Sequence, residues 1–85
     1  MLGNNLVVLK YNKDQIIVNK GDQADSFYLI KSGLVGCFDE DKFIRNLQTG
    51  DSFGEQALYQ NGHRTLTVKA LEEVHCLAIS RENLQ

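Results

Sequence analysis

Short runs of β-branched and aromatic residues recur along the chain and are separated by turns that contain glycine, asparagine or aspartate. Runs of this length and spacing are typical of an all-β sandwich or barrel. The pattern predicts strands over residues 6–11, 15–18, 26–31, 34–38, 42–47, 65–70 and 74–79. Residues 12–14, Asn-Lys-Asp, suit a hairpin turn between the first two strands. The sequence therefore predicts a mostly β fold.

The last two predicted strands differ in their patterning. Residues 65–70 alternate between polar and apolar side chains, which predicts a half-buried strand with Thr65 on its polar face. Residues 74–79 are apolar at most positions except His75, which is typical of a central strand buried on both sides. Ser80 then favours the start of a helix, and the sequence ends after barely one turn. We therefore expect this helix to be truncated.

Length and charge limit the class of protein. A chain of 85 residues suffices for one domain, which spans residues 1–85. The 11 acidic residues against 9 basic ones give a net charge of −2, and the basic residues are scattered, so a nucleic-acid-binding protein is not expected. No apolar run is long enough to cross a bilayer, and the first residues lack the pattern of a signal peptide.

The cysteines and histidines indicate neither redox nor metal chemistry. Cys37 and Cys76 fall in predicted strands without CxxC spacing, so we expect two reduced, buried thiols in a cytoplasmic protein. His63 and His75 lack the spacing of metal ligands. We expect His63 to be exposed and His75 to be a hydrogen-bonded strand residue. No arrangement suited to nucleophilic catalysis is evident, and we expect no metal and no enzymatic activity.

Residues 53–65 form a segment that strand alternation does not explain. Gly54 permits a ligand to approach the backbone closely, and the N–H groups that follow it could bind an anion at the start of a helical turn. Arg64 offers a planar guanidinium suited to phosphate oxygens. Glu55 would repel a phosphate but can accept a hydrogen bond from a ribose hydroxyl. Together these residues predict a nucleotide with a free 2′-hydroxyl group.

This segment resembles the phosphate-binding cassette of the cyclic nucleotide-binding domain family in the residues Phe53-Gly54-Glu55-x-Ala57-Leu58 and Arg64-Thr65-x-Thr67-Val68. The resemblance continues through Gly21-Asp22, Asp25-Ser26-Phe27-Tyr28-x-Ile30, Ser32-Gly33-x-Val35, Leu47-x-x-Gly50-Asp51 and Cys76-Leu77-x-Ile79-x-Arg81. It therefore covers nearly the whole chain. Within the family it is greatest to the cGMP sites of cGMP-dependent protein kinases.

The resemblance implies an eight-stranded antiparallel β-roll, similar to a jelly roll, with a short helix in the cassette and truncated flanking helices. It also implies a non-catalytic regulatory module that binds cGMP in preference to cAMP, with no further cofactor. The implied effector is an attached or associated kinase domain, as in a cGMP-dependent serine/threonine protein kinase. The alternative is a ligand-free β-roll that acts as a protein-interaction or autoinhibitory module.

The resemblance assigns roles to individual residues. Glu55 would hold the ribose 2′-hydroxyl and Arg64 the cyclic phosphate. Thr65 would read the purine, because a hydroxyl at this position is typical of the family's cGMP-preferring sites. Arg45 lies where those sites direct an arginine toward guanine. The expected ligand-binding residues are Arg45, Phe53, Gly54, Glu55, Gln56, Ala57, Leu58, Arg64 and Thr65.

Each assignment has a structural alternative. Arg64 could be a surface arginine paired with Asp51 or Glu55, and Glu55 could instead stabilise the start of a helix. Thr65 is favoured in a strand by its β propensity alone. Arg45 could point outward toward a nearby acidic turn.

Overall fold

The computed structural model describes residues 6–24, 26–54 and 62–80. These residues form eight β-strands, all paired antiparallel, and no helix lies within the three described ranges. The strands are β1 (Leu6–Tyr11), β2 (Ile16–Val18), β3 (Ser26–Ser32), β4 (Leu34–Asp39), β5 (Lys42–Gln48), β6 (Ser52–Phe53), β7 (Thr67–Ala70) and β8 (Val74–Ser80). The predicted mostly β fold is confirmed. The predicted cassette helix and the helix after Ser80 fall outside the described residues.

The strands form two four-stranded sheets, with the orders β1-β8-β3-β6 and β2-β7-β4-β5. Strand β8 is central in the first sheet, as predicted, and Val74 and Cys76 near its start are fully buried. Residues 77–80 are only half-buried, so the expected burial on both sides is wrong for this part of the strand. His75 is a hydrogen-bonded strand residue, as expected, with its Nδ1 atom 3.2 Å from the hydroxyl of Ser32.

The turn at residues 12–14 does not make a hairpin. Strand β1 pairs with β8 in the first sheet, whereas β2 pairs with β7 in the second. Asp14, with a φ of 74°, donates its backbone N–H to the carbonyl of Ala70 at 2.8 Å, and Ala70 donates to the carbonyl of Gln15 at 2.8 Å. The turn therefore carries the chain from one sheet to the other. Its residues favour a change of direction but do not choose the strand partner, which is why the predicted hairpin is wrong.

Buried side chains of both sheets form one apolar core. Its members are Val18, Ile30, Val35, Cys37, Phe53, Val68, Ala70, Val74 and Cys76. The two cysteines are free and buried, as expected, and burial raises the pKa of Cys76 to about 11. At Phe53 and Val68 the core borders a cavity, which is also lined by Arg45, Arg64 and Thr65.

Candidate functional site

A cavity of about 230 Å³ is lined by residues of both sheets and of the segment that precedes β7. Its apolar wall consists of Val18, Cys37, Leu47, Phe53, Leu66 and Val68, and its other lining residues are Arg45, Ser52, Gly54, Arg64 and Thr65. Five of the predicted site residues therefore line one cavity: Arg45, Phe53, Gly54, Arg64 and Thr65. The other four, Glu55, Gln56, Ala57 and Leu58, lie outside the described residues.

Arg64 is buried against this cavity, with only 6% of its surface exposed. Its Nη2 atom donates a hydrogen bond to the carbonyl of Ser26 at 2.6 Å, and Nη1 donates to the carbonyl of Gly54 at 3.3 Å. Its Cζ atom lies 5.5 Å from the centroid of the Tyr28 ring, within the range of a cation–π interaction. The alternative of a surface arginine is therefore wrong. A buried guanidinium held in this way suits the binding of an anion.

The backbone of Arg64 is anchored by the loop that follows β2. Its N–H donates to the carbonyl of Asp22 at 2.8 Å, and its own carbonyl accepts from the N–H of Gly21 at 2.8 Å. The neighbouring His63 is exposed, as predicted, and pairs with Gln23 in an isolated antiparallel bridge. The loop thus fixes the main chain of Arg64, while the carbonyls and the ring fix its side chain.

Gly54 approaches the guanidinium of Arg64 closely. Its φ is 92°, in the left-handed region that favours glycine. A Cβ atom at this position would overlap Nη1 of Arg64, so a side chain here would push the guanidinium aside. The close approach that the sequence led us to expect of a ligand is made in this structure by Arg64.

Arg45 lines the cavity from an exposed position on β5. It lies directly opposite Cys37 on β4, and residues paired in this way project from the same face of a sheet. Because Cys37 belongs to the core, Arg45 projects from the face that borders the cavity. Burial raises the pKa of the Cys37 thiol, and the positive charge of Arg45 partly opposes this rise. Arg45 is therefore a cation near the apolar wall.

The acidic turn between β4 and β5 is paired with a lysine. The Nζ atom of Lys20 lies 2.6 Å from a carboxylate oxygen of Asp39 and 3.5 Å from one of Glu40. The hydrogen bond to Asp39 raises the pKa of Lys20. Asp39 and Glu40 of this turn thus pair with Lys20, whereas the cavity-facing placement of Arg45 rests on its pairing with Cys37 and its place in the cavity lining.

Thr65 departs from the alternation that the sequence suggests. Strand β7 begins only at Thr67, and residues 64–66 precede it. Thr65 and Leu66 both line the cavity, although strict alternation would place them on opposite faces. Thr65 is exposed, as its assignment to the polar face predicts, but it precedes the strand and also lines the cavity, because alternation holds only within a strand.

Other residues at the site were not among those predicted. Ser26 and Tyr28 contact Arg64, and the unpredicted residues of the cavity lining are Val18, Cys37, Leu47, Ser52, Leu66 and Val68. Ser26 acts through its carbonyl, which no side-chain pattern reveals, while Tyr28 and Cys37 have the sequence pattern of ordinary strand residues. Ser26 and Tyr28 do belong to the stretch that resembles the family. Because they are two residues apart on β3, the sequence could have placed both on the same face of the strand.

The described residues provide a binding cavity and no metal centre. Within the described ranges, no group of three or more potential metal ligands lies together. No helix in the part of the chain that the structure describes has the length and apolar character needed to cross a membrane. Two arginines at an apolar cavity suit a ligand that carries an anionic group and a flat, partly apolar body. Fold and cavity thus define a ligand-binding β-roll.

The model of the cyclic nucleotide-binding domain matches residues 8–85, and the chain belongs to this family. The chain is 37% identical over 84 residues to a cGMP-dependent protein kinase of Eimeria tenella, and this alignment covers 99% of the chain and 8% of that protein. It is 38% identical over 71 residues to a cAMP-dependent protein kinase regulatory subunit of Candida albicans, and this alignment covers 84% of the chain and 16% of that subunit. The chain spans less than a fifth of these relatives.

A solved structure confirms the fold. PKAR CBD2 bound to Sp-2Cl-cAMPS matches this chain with a TM-score of 0.88 at 30% identity, covering 93% of this chain and 54% of that one. The predicted antiparallel β-roll is therefore the fold of this domain.

Proposed function

We propose that this domain is a regulatory module that binds cGMP in preference to cAMP and has no catalytic activity of its own. The observation that carries the proposal is that the buried Arg64 and the exposed Arg45 and Thr65 line the same cavity. A cyclic nucleotide has the matching parts, namely a singly charged phosphate and a purine with hydrogen-bonding edges.

Arg64 would bind the cyclic phosphate. Because its guanidinium is held by the carbonyls of Ser26 and Gly54, the cation is positioned at the cavity before the ligand enters. Preorganisation of this kind lowers the ordering cost of binding. The resemblance further implies that Glu55 holds the ribose 2′-hydroxyl and that the backbone around Ala57 completes the phosphate cradle.

Arg45 and Thr65 would favour guanine. The Thr65 hydroxyl can accept from the guanine 2-amino group, and Arg45 can donate to guanine O6, where adenine presents an amino donor instead. A neutral hydrogen bond contributes about 0.5–1.5 kcal/mol and one to a charged group about 1.5–3 kcal/mol, so the two together would give a preference of roughly 30- to 2,000-fold. Both residues are exposed, and competition from water favours the lower end of this range.

The effector would be a protein kinase domain in the same or an associated chain, in the cytoplasm. The support is the similarity to cGMP- and cAMP-dependent kinase proteins of which this chain covers only a small part. Binding regulates such an effector only if the nucleotide has different affinities for two conformations of the domain. The domain would therefore couple ligand occupancy to a conformational equilibrium.

Calorimetric titration of the domain with cGMP and with cAMP tests the proposal. We expect binding of both nucleotides and a lower Kd for cGMP. Equal affinities would contradict the selectivity and retain the cyclic-nucleotide site. Failure to bind either nucleotide, by a domain shown to be folded, would contradict the proposal and favour the ligand-free interaction module.

A further inference from the structure

Tyr28 connects the guanidinium of Arg64 to the core. Tyr28 on β3 is paired directly with Phe53 on β6, and their rings stack with centroids 5.0 Å apart and planes 12° apart. The Tyr28 ring also lies 5.5 Å from Cζ of Arg64. Phe53 and Arg64 are among the described residues that line the cavity, whereas Tyr28 is not. Tyr28 therefore contacts the cavity lining without itself facing the cavity.

We propose that Tyr28 is a positioning residue that holds the Arg64 guanidinium in place for the cyclic phosphate. The inference rests on the proposed function of the same cavity. The face of an aromatic ring attracts a cation, and the attraction is stronger where water is excluded. Because Arg64 is only 6% exposed, this contact lies in such an environment.

The contacts to Arg64 come from two neighbouring strands and restrict it from several sides. Ser26 and Tyr28 are two residues apart on β3, and one provides a carbonyl and the other a ring. Gly54, which follows Phe53 at the end of β6, provides the second carbonyl. The carbonyls direct the N–H groups of the guanidinium, and the ring limits movement of its plane. The stack with Phe53 in turn limits movement of the Tyr28 ring.

A second cation–aromatic contact in the domain provides a comparison. Lys69 on β7 places its Nζ atom 5.3 Å from the centroid of the Phe38 ring. Neither residue is among the described lining of the cavity. Lys69 and Phe38 thus share the chemistry of the Arg64–Tyr28 pair without its location, and altering them should leave nucleotide affinity unchanged.

Nucleotide affinity of three variants, measured by calorimetry with cGMP, tests the inference. Tyr28→Leu removes the ring and is expected to raise Kd about three- to thirtyfold. Tyr28→Phe keeps the ring and should bind like the wild type. Tyr11→Leu is the matched control, because Tyr11 is another partly buried tyrosine packed on the same core, and it should lower stability without raising Kd. Equal Kd values for Tyr28→Leu and wild type would overturn the inference.

A series of fluorinated phenylalanines at position 28 covers the case in which Tyr28→Leu does not fold. Fluorination preserves the shape of the ring while weakening the negative potential of its face. We expect Kd for cGMP to rise with each added fluorine, as a cation–π contact requires. A Kd that does not change across the series would show that no cation–π attraction holds the Arg64 guanidinium and would overturn the inference.

The NMR signal of the Arg64 Nε–H group in the ligand-free protein provides a readout that is independent of binding. We expect a ring-current shift in wild type, in Tyr28→Phe and in Tyr11→Leu, and its loss in Tyr28→Leu. If wild type fails to bind cGMP but the shift depends on Tyr28, the proposed function fails and the positioning contact stands. If wild type binds cGMP and neither Kd nor the shift depends on Tyr28, the positioning inference alone fails.

Discussion

The two polar parts of the cavity are built in different ways. Arg64 is buried and is held by main-chain hydrogen bonds and a ring. Arg45 and Thr65 line the same cavity from exposed positions. On the proposed function, electrostatic recognition of the phosphate would belong to the folded framework, whereas recognition of the base would depend on two side chains in contact with water. Affinity and selectivity should therefore respond to different substitutions.

The largest expected effect is that of Arg64→Ala. Removal of one partner of a buried charge pair costs about 2–5 kcal/mol, so Kd for both cGMP and cAMP should rise about 30- to 5,000-fold. Lys69→Ala is the matched control, because it removes a cation from an aromatic ring outside the cavity. Calorimetry measures both variants. An Arg64→Ala domain that binds like the wild type would remove the distinction between the two parts of the cavity.

Gly54→Ala should also weaken both nucleotides, because the new Cβ would overlap Nη1 of Arg64. Gly50→Ala is the control, since Gly50 has a φ of 94° against 92° for Gly54, with no atom within 4 Å of a Cβ. Both variants bear the cost of a left-handed residue, about 1–3 kcal/mol of stability. Only Gly54→Ala should raise Kd, as measured by titration below the Tm of each variant. Equal Kd values for the two variants would show that the placement of Arg64 tolerates displacement.

Thr65→Ala and Arg45→Ala should change selectivity and little else. Loss of one neutral hydrogen bond costs about 0.5–1.5 kcal/mol, so Thr65→Ala should raise Kd for cGMP about two- to tenfold. Kd for cAMP should stay near its wild-type value, because adenine lacks the 2-amino group. Arg45→Ala should act in the same direction. Competition binding measures the ratio, and an equal loss for both nucleotides would assign these residues to general affinity.

Lys20→Ala should have the smallest effect. Lys20 lies in the loop that anchors the main chain of Arg64, and its side chain forms ion pairs with Asp39 and Glu40. The side chains of these three residues are exposed. Exposed ion pairs contribute little and are screened by salt. We expect a slightly lower Tm, a difference that disappears in high salt, and an unchanged Kd.

The pH dependence of this stabilisation has a definite sign. The pKa of Lys20 is raised above its usual 10.5, so the contribution of the ion pair is present at neutral pH. It is lost as the pH rises through the raised value. A clear rise in Kd for Lys20→Ala would contradict this prediction. It would show that the loop needs the Lys20 ion pairs in order to hold the main chain of Arg64.

Local patterning predicted the strands better than their partners. Seven of the eight strands match predicted runs to within two residues at each end, but β6, with only two residues, is too short to show a period. The two strands flanking residues 12–14 joined different sheets because pairing depends on contacts that are distant in sequence. Alternation failed for Thr65, which precedes the strand it was assigned to.

The chemistry of Gly54, Glu55 and Arg64 predicted a nucleotide site, and the resemblance supplied the other site residues. Gly54 and Arg64 are close in space, as a shared phosphate site would require, and Arg45 lines the same cavity. The contacts that hold Arg64 could not be predicted, because Ser26 acts through a carbonyl and Tyr28 has the pattern of a core strand residue. A hydropathy pattern does not reveal hydrogen bonds to main-chain carbonyls or contacts with the face of a ring.

The contacts of Arg64 also have a consequence for the order in which the domain folds. The hydrogen bond from Arg64 to Ser26 joins residues 38 positions apart, and the main-chain bonds to Asp22 and Gly21 span a similar length of chain. Closing so long a loop is slow compared with forming a local turn. A nascent chain that has emerged only to β5 cannot retain a nucleotide through Arg64. On the proposed function, cGMP binds the folded domain and not the unfolded chain, so saturating cGMP should increase the folded population of destabilised variants and rescue their yield in cells.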